Sequence, residues 1–269
     1  MPLSDRIWLA LRAAPAISLG DAFWYGLMAG VAWLALYVVL RRAMAGRKIV
    51  PRFPTLKQLG WEILYSLRSL LVFGAVGSFV AFAGYSGWTR FYMRIDDFGW
   101  TWFVASIVLI IFIHDTYFYW THRLMHHRRL FRIFHRVHHL SINPTPWAAY
   151  SFSTFEAVVQ AGISPLVVFT MPVHPLAFLT FMIWQISFNV LGHCGYELLP
   201  RWFMQCWLAK FLNTSTHHAM HHEAFRANYG LYFNFWDRLL GTNHPQYEQR
   251  FAAVTGPSVE VEKSGMQIR

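Results

Sequence analysis

Eight histidines in three clusters carry the chemistry of this sequence. They are His122 and His126 in HRLMH, His135, His138 and His139 in HRVHH, and His218, His221 and His222 in HAMHH. On a helix, residues three and four apart share one face, so each cluster aims two or three imidazoles at one point. Imidazole is a borderline ligand suited to zinc, iron, copper or nickel. Eight are too many for one ion and about right for two, so the pattern points to a dinuclear metal site. A lone histidine is ordinarily a core or surface residue, and His114, His174 and His244 are read that way. His114 stays open, because it lies two helical turns before His122. His127 and His217 point about 100° away from their cluster neighbours, behind the ligands or toward lipid headgroups.

The ligand type narrows the metal. A closed structural zinc site takes four ligands, usually including cysteine. Here the only cysteines are Cys194 and Cys206, which give neither a zinc ribbon nor a disulfide framework. Hydrolytic two-zinc sites recruit carboxylates, and the clusters contain none, although Asp115, Glu156, Glu197 and Glu223 lie nearby. Neutral imidazoles would leave an iron pair highly cationic and open to dioxygen, so redox chemistry is expected.

The elements that position these residues belong to a membrane protein. Hydrophobic residues make up 55% of the 269 and charged residues only 13%, about half the charged share of a soluble domain. Residues 23–40 and 69–85 carry no charge, and 101–113 run apolar up to His114. Residues 157–191 are charge-free for longer than the roughly 20 residues of one crossing, so they read as a helical hairpin. Its turn is Met171-Pro172-Val173-His174-Pro175, where two prolines break the helix. Buried helices of a large soluble protein are the competing reading, but so little polar surface would leave no solvated exterior. Residues 7–19 read as an interfacial helix, and no cleavable signal is expected ahead of it. Gly26-x-x-x-Gly30 resembles a helix-packing motif, and such pairs are too common in membrane helices to carry function.

Positive charge sets the orientation. Arg41, Arg42, Arg47, Lys48, Arg52 and Lys57 follow the first apolar block, and Arg123, Arg128, Arg129, Arg132 and Arg136 accompany the histidines. Lys and Arg near membrane ends mark the cytoplasmic face, so all three clusters are expected there. The same topology brings His193, at the end of the hairpin, to their level as a ninth ligand, with Asn189 one turn earlier placed to hold a metal-bound water. The net charge of +10 follows from this bias and from anionic headgroups, and no nucleic-acid partner is expected.

The sequence resembles the fatty acid hydroxylase and sterol desaturase superfamily of membrane di-iron enzymes, and within it sterol C-5 desaturase. The resemblance runs from Asp115 to Thr242. It rests on Tyr119-Trp120-Thr121-His122-Arg123-Leu124-Met125-His126-His127, His135-Arg136-Val137-His138-His139, and Pro144-Thr145-Pro146 with Ala148. Farther on come His217-His218-Ala219-Met220-His221-His222, Asn228-Tyr229-Gly230 and Trp236-Asp237-Arg238. It implies that His122, His126, His135, His138, His139, His218, His221 and His222, with His193, bind two iron ions. Zinc can replace iron in such a site, and dioxygen is the cosubstrate. The resemblance also implies that Asn228, Tyr229, Gly230, Asp237 and Arg238 shape the cap, with Asp237 and Arg238 placed to support the ligands. One departure stands out: where C-5 desaturases carry a His-Pro pair before an acidic residue, this chain has Ser153-Thr154 before Glu156.

The expected fold is an all-α integral membrane protein of four to five transmembrane helices, two to three spans plus the hairpin, under a cytoplasmic His-rich cap. Residues 1–110 form the N-terminal membrane helices, 111–245 the catalytic domain and 246–269 a C-terminal tail. The expected function is oxidation of a lipid drawn from the bilayer. Desaturation of a sterol-like ring leads, and hydroxylation of a fatty acyl, sphingoid or carotenoid chain is the alternative. With no dinucleotide fingerprint, electrons must come from a cytochrome b5-like protein or a ferredoxin with its reductase. The short length and the absence of a retention signal at the C-terminus suggest a bacterial inner membrane. A membrane metal transporter or sensor, and an inert zinc scaffold, are the competing classes. A transporter would place its ligands near mid-bilayer at broken helices.

Overall fold

A computed structural model of the chain describes residues 1–207 and 209–256. It is helical, and among the described residues β-structure is confined to isolated bridges. Helix α1 spans Leu3–Trp33 and runs on through a wider turn at Leu34–Val39. Helix α2 (Leu56–Tyr85) starts at Thr55, whose hydroxyl accepts from the Gln58 amide. Helix α3 is Gly99–Met125, α4 the short Phe131–Phe134, and the hairpin comprises α5 (Thr154–Ala161), α6 (Ile163–Thr170) and α7 (Pro175–Gly192). Helices α8 (Ser215–Ala224), α9 (Phe235–Leu239) and α10 (Tyr247–Thr255) follow.

Four helical runs are long and apolar enough to cross a membrane: Leu3–Val39, Leu56–Tyr85, Gly99–Met125 and Pro175–Gly192. Many of their large side chains, such as Leu64, Leu71, Val104, Phe112 and Leu179, face outward. Backbone hydrogen bonds closed within each helix are what a hydrocarbon solvent demands. The hairpin forms where expected. Its turn is set by His174, whose Nδ1 accepts from the Leu176 amide, and by Pro175 at the first helical position.

The interfacial helix expected at residues 7–19 is a correction. Those residues are the first half of α1, and they pack along α2. Ser78 Oγ donates to the Ala10 carbonyl at 2.6 Å, and Ser18 Oγ to that of Leu70 at 3.2 Å. The approach depends on small residues, because a Cβ at Gly74 would collide with Ser18 and one at Gly77 would meet Ile17 at 2.8 Å. Close backbone approach over small residues is how helices associate in lipid. Gly26, by contrast, has nothing within 4 Å of its missing Cβ.

Two apolar clusters hold the bundle. One joins α1, α2, α7 and residues 149–152 through Tyr25, Leu70, Tyr150, Phe152 and Ile186. The other joins α2, α3, α6 and α7 through Val80, Ile110, Val167 and Phe181. Backbone contacts then sort the loops to the two ends. The basic linker after α1 meets residues 195–199, with the Glu197 amide donating to the Arg47 carbonyl and Arg47 Nη1 to that of Leu199. The loop between α2 and α3 meets the hairpin turn, with the Tyr92 amide donating to the Val173 carbonyl. The basic linker and the histidines therefore share one end of the bundle.

Candidate metal centre

Each histidine is delivered by an element whose start or end is fixed locally. His122 and His126 lie one turn apart at the end of α3. His135 follows α4, and His138 and His139 open a tight turn, His138–Leu140. His193 follows the last residue of α7. His218, His221 and His222 occupy α8, whose first turn is capped by Thr214. The Thr216 amide of that turn donates to the buried Glu197 carboxylate at 3.0 Å, an acid placed favourably at a helix N-terminus.

The nine imidazoles converge in two groups: His122, His126, His135, His139 and His221, and His138, His193, His218 and His222. The nitrogens of each group lie within 4.8 Å of one another. His122 and His126 aim at one point as expected, whereas the second and third clusters are each split between the groups, which corrects the expectation for those two. Adjacent histidines point apart along a helix or tight turn, so His138 and His139 serve different groups, as do His221 and His222.

The donor chemistry fits a metal ion in each group. Nδ1 of His122 lies 2.8 Å from the Tyr229 carbonyl, that of His221 2.7 Å from Ala227 and that of His193 2.7 Å from Asn189. His135 Nδ1 lies 2.6 Å from Glu156 Oε1. The three carbonyls only accept, and so does Glu156 when ionised, so each Nδ1 donates and its Nε2 presents a bare lone pair. Yet each faces another imidazole nitrogen: His122 that of His135 at 2.9 Å, His221 that of His139 at 3.0 Å and His193 that of His218 at 2.9 Å. Nitrogens about 2.1 Å from one ion sit roughly 3 Å apart when adjacent. Charging the rings does not hold them together at neutral pH. Burial, reinforced by neighbouring imidazoles, holds His135, His138, His139, His218, His221 and His222 well below the usual histidine range and His126 down to about 2. A cation among the nitrogens would satisfy their lone pairs.

The supporting residues are also in place. Asp237 accepts from the Tyr229 and Gly230 amides at 2.9 and 2.8 Å and so fixes the carbonyl that orients His122. A Cβ at Gly230 would collide with the Phe233 carbonyl oxygen and press within 3.0 Å of Asp237 Oδ2, which is why glycine stands there. Arg238 does not support the ligands: it turns to the Lys210 carbonyl and the exposed Glu248. Asn189 spends its side-chain amide on the Ala149 carbonyl. Its backbone oxygen meets His193 Nδ1 at 2.7 Å. His127 is exposed, and His217 is buried edge-on against Tyr247, with ring centroids 4.9 Å apart. His114 belongs to neither group and meets the Tyr232 hydroxyl at 2.8 Å.

Two acids carry more than the sequence suggested. Glu156 was noted only as a neighbour, and it is the partner of His135. Its signal is Ser153, which caps α5 by accepting from the Glu156 amide and donates to the Phe134 carbonyl. Glu62, wholly buried in α2, accepts from Ser141 Oγ at 2.6 Å, from Thr145 Oγ1 at 2.5 Å and from Gln58. It ties the loop after the second histidine cluster to the bundle. A lone acid in an apolar helix was the available sign.

Beneath the two groups lies a largely apolar cavity of about 370 Å³ between α1, α2, α3, α6 and α7. Phe118 and Phe152 stand at its inner end, their rings 4.9 Å from His122 and 5.2 Å from His138.

Comparison with known proteins agrees with this arrangement. The family model for fatty acid hydroxylase matches residues 107–242. A Delta(7)-sterol 5(6)-desaturase of Gibberella zeae is 30% identical over 224 residues, 83% of this chain and 66% of that protein. Lathosterol oxidase of Rattus norvegicus is 31% identical over 191 residues, 70% of this chain and 62% of the relative. Lathosterol oxidase of Homo sapiens is 32% identical over 158 residues, 58% and 51% of the two chains. The chain thus spans just under two thirds of the length of the first two relatives. These relatives are fungal and mammalian, which lends nothing to a bacterial origin. No solved structure matches. The chain belongs to the fatty acid hydroxylase family.

Proposed function

We propose that this protein is a membrane oxidoreductase that uses an iron pair, dioxygen and external electrons to desaturate a lipid, a sterol-like ring foremost. The observation that carries the reading is the set of Nε2 atoms turned toward one another directly above an apolar cavity. The names of the relatives favour a ring over an acyl chain. An iron pair held by the nine histidines would supply activation of dioxygen and removal of hydrogen from an unactivated C–H bond.

The chain's own residues supply position and dryness. Glu156 and the carbonyls of Tyr229, Ala227 and Asn189 hold four rings in the tautomer that points Nε2 inward. Phe118 and Phe152 keep the face toward the lipid apolar. In sum, a lipid loses two hydrogens and dioxygen, with two electrons and two protons, becomes two waters. The electrons would come from a cytochrome b5-like protein or a ferredoxin with its reductase. The basic linker and the Arg128–Arg129 face share the histidine end, which supports a cytoplasmic placement and docking of an acidic donor there. The direct test is to supply iron-loaded protein with dioxygen, a reducing system and a Δ7-sterol. A new ring double bond is expected. Oxygen consumption with no lipid product from sterol or acyl-lipid mixtures would contradict it.

A further inference from the structure

Polar side chains line several levels of the cavity, Gln160 and Ser164 among them, and among the described residues Asp21 is its one carboxyl. From Asn189 to Pro175 its wall follows α7 for fifteen residues, roughly 20 Å. The end nearest the hairpin turn is lined by Phe91, Val80 and Phe178. The end nearest the metal groups holds Asp21 from α1, with Tyr150 and Gln185. Gln185 Nε2 donates to the Tyr150 hydroxyl at 2.6 Å. Gln185 lies one turn below Asn189, about 6 Å, and the Asn189 carbonyl holds His193. Among the described residues, no protein hydrogen bond and no neighbouring positive charge meets the Asp21 carboxyl.

A carboxyl inside a membrane helix is costly and rare, and it ordinarily faces a partner or a ligand pathway. Asp21 faces the cavity and lacks the partner. A ligand group that completes it must offer a hydrogen-bond donor. A lipid carboxylate or phosphate would bring like charge against it in a low-dielectric site. An uncharged hydroxyl suits it in either protonation state, because the carboxyl accepts when ionised and both donates and accepts when protonated.

Resting on the lipid-oxidation reading above, we propose that Asp21, beside the Tyr150–Gln185 pair, is the specificity residue that seats the hydroxyl of a neutral lipid alcohol.

Equilibrium binding tests this without turnover, using the full iron-loaded chain in nanodiscs with dioxygen excluded. The probes are a radiolabelled Δ7-sterol, its 3-O-methyl ether and oleate. The wild-type chain is expected to bind the alcohol at least tenfold more tightly than the ether, with oleate weakest. Asp21→Leu should shrink the alcohol preference below threefold and leave ether binding within twofold, while Asp21→Asn, which can still accept, keeps most of it. Equal wild-type binding of alcohol and ether overturns the proposal with no variant needed, as does a tenfold preference that survives in D21L or oleate binding most tightly. A parallel turnover assay separates the two readings. An Asp21-dependent preference without any oxidised product refutes only the oxidation chemistry, and product without that preference refutes only the hydroxyl seat.

Discussion

His135 Nδ1 meets Glu156 Oε1 at 2.6 Å, with both side chains buried. A carboxylate behind a ligating imidazole fixes its tautomer and raises its basicity, and losing such a partner costs about 10–100-fold in metal affinity. Glu156→Gln keeps an acceptor and loses the charge, so iron affinity should fall about tenfold. Glu156→Leu removes both and should approach 100-fold. Competition against a chelator of known affinity measures each.

The division of neighbouring histidines yields a second test. His138→Ala and His218→Ala should weaken one ion, and His139→Ala and His221→Ala the other. Pairs within one group should leave about one ion bound per chain, whereas a pair drawn from both groups should leave both weakened. Elemental analysis after dialysis reads this directly.

Acid should destabilise the metal-free protein. Burial lowers His217 to about 3 and His193 to about 4, and six cluster histidines lie well below the ordinary value. Between those folded values and the unfolded value near 6.5, the unfolded chain binds more protons, so stability falls as pH drops through that window. Each group contributes up to about 1.4 kcal/mol per pH unit. Glu156, raised well above the carboxylate range, and Asp237, raised to about 6, act in the opposite sense, but the histidines outnumber them, so the melting temperature of apo protein should fall from about pH 6.5 to 5.

The α1–α2 contact should not tolerate bulk. Gly74→Val puts branched carbons against Ser18 and the Ala14 carbonyl. The expected cost is about 1–3 kcal/mol, as for overpacking generally. Gly26→Val, whose Cβ meets nothing within 4 Å, should be near neutral. Thermal melts in one detergent compare them.

Arg128 and Arg129 are exposed on the histidine cap. Replacing both with Gln should slow turnover with an acidic protein donor at low salt and leave iron content and chemically reduced turnover unchanged. The defect should shrink as ionic strength rises, because screening removes the same attraction in the parent.

Much of the site was legible because ligand residues must be histidines and because apolar blocks of fixed length order the chain across a bilayer. His193 illustrates this: its place followed from the hairpin alone. The split of His138 from His139 was less visible, since it depends on which elements approach from either side. Glu156 and Glu62 were harder still. Their partners lie 21 and 79 or more residues away, and a buried acid reads like a surface one until its donors are placed. The single 31-residue helix α1 was misjudged for a related reason. Its first half looks only moderately apolar, and the serines and glycines of α2 make up the difference.

The most direct test of the central claim is Mössbauer spectroscopy of protein loaded with ⁵⁷Fe(II) without dioxygen, with iron counted on the same sample. Two irons per chain in nitrogen-rich, high-spin ferrous sites are expected, both changing when dioxygen and a lipid substrate are admitted. A single iron per chain, or two that stay ferrous under dioxygen with every lipid supplied, would contradict a two-iron centre that oxidises lipids.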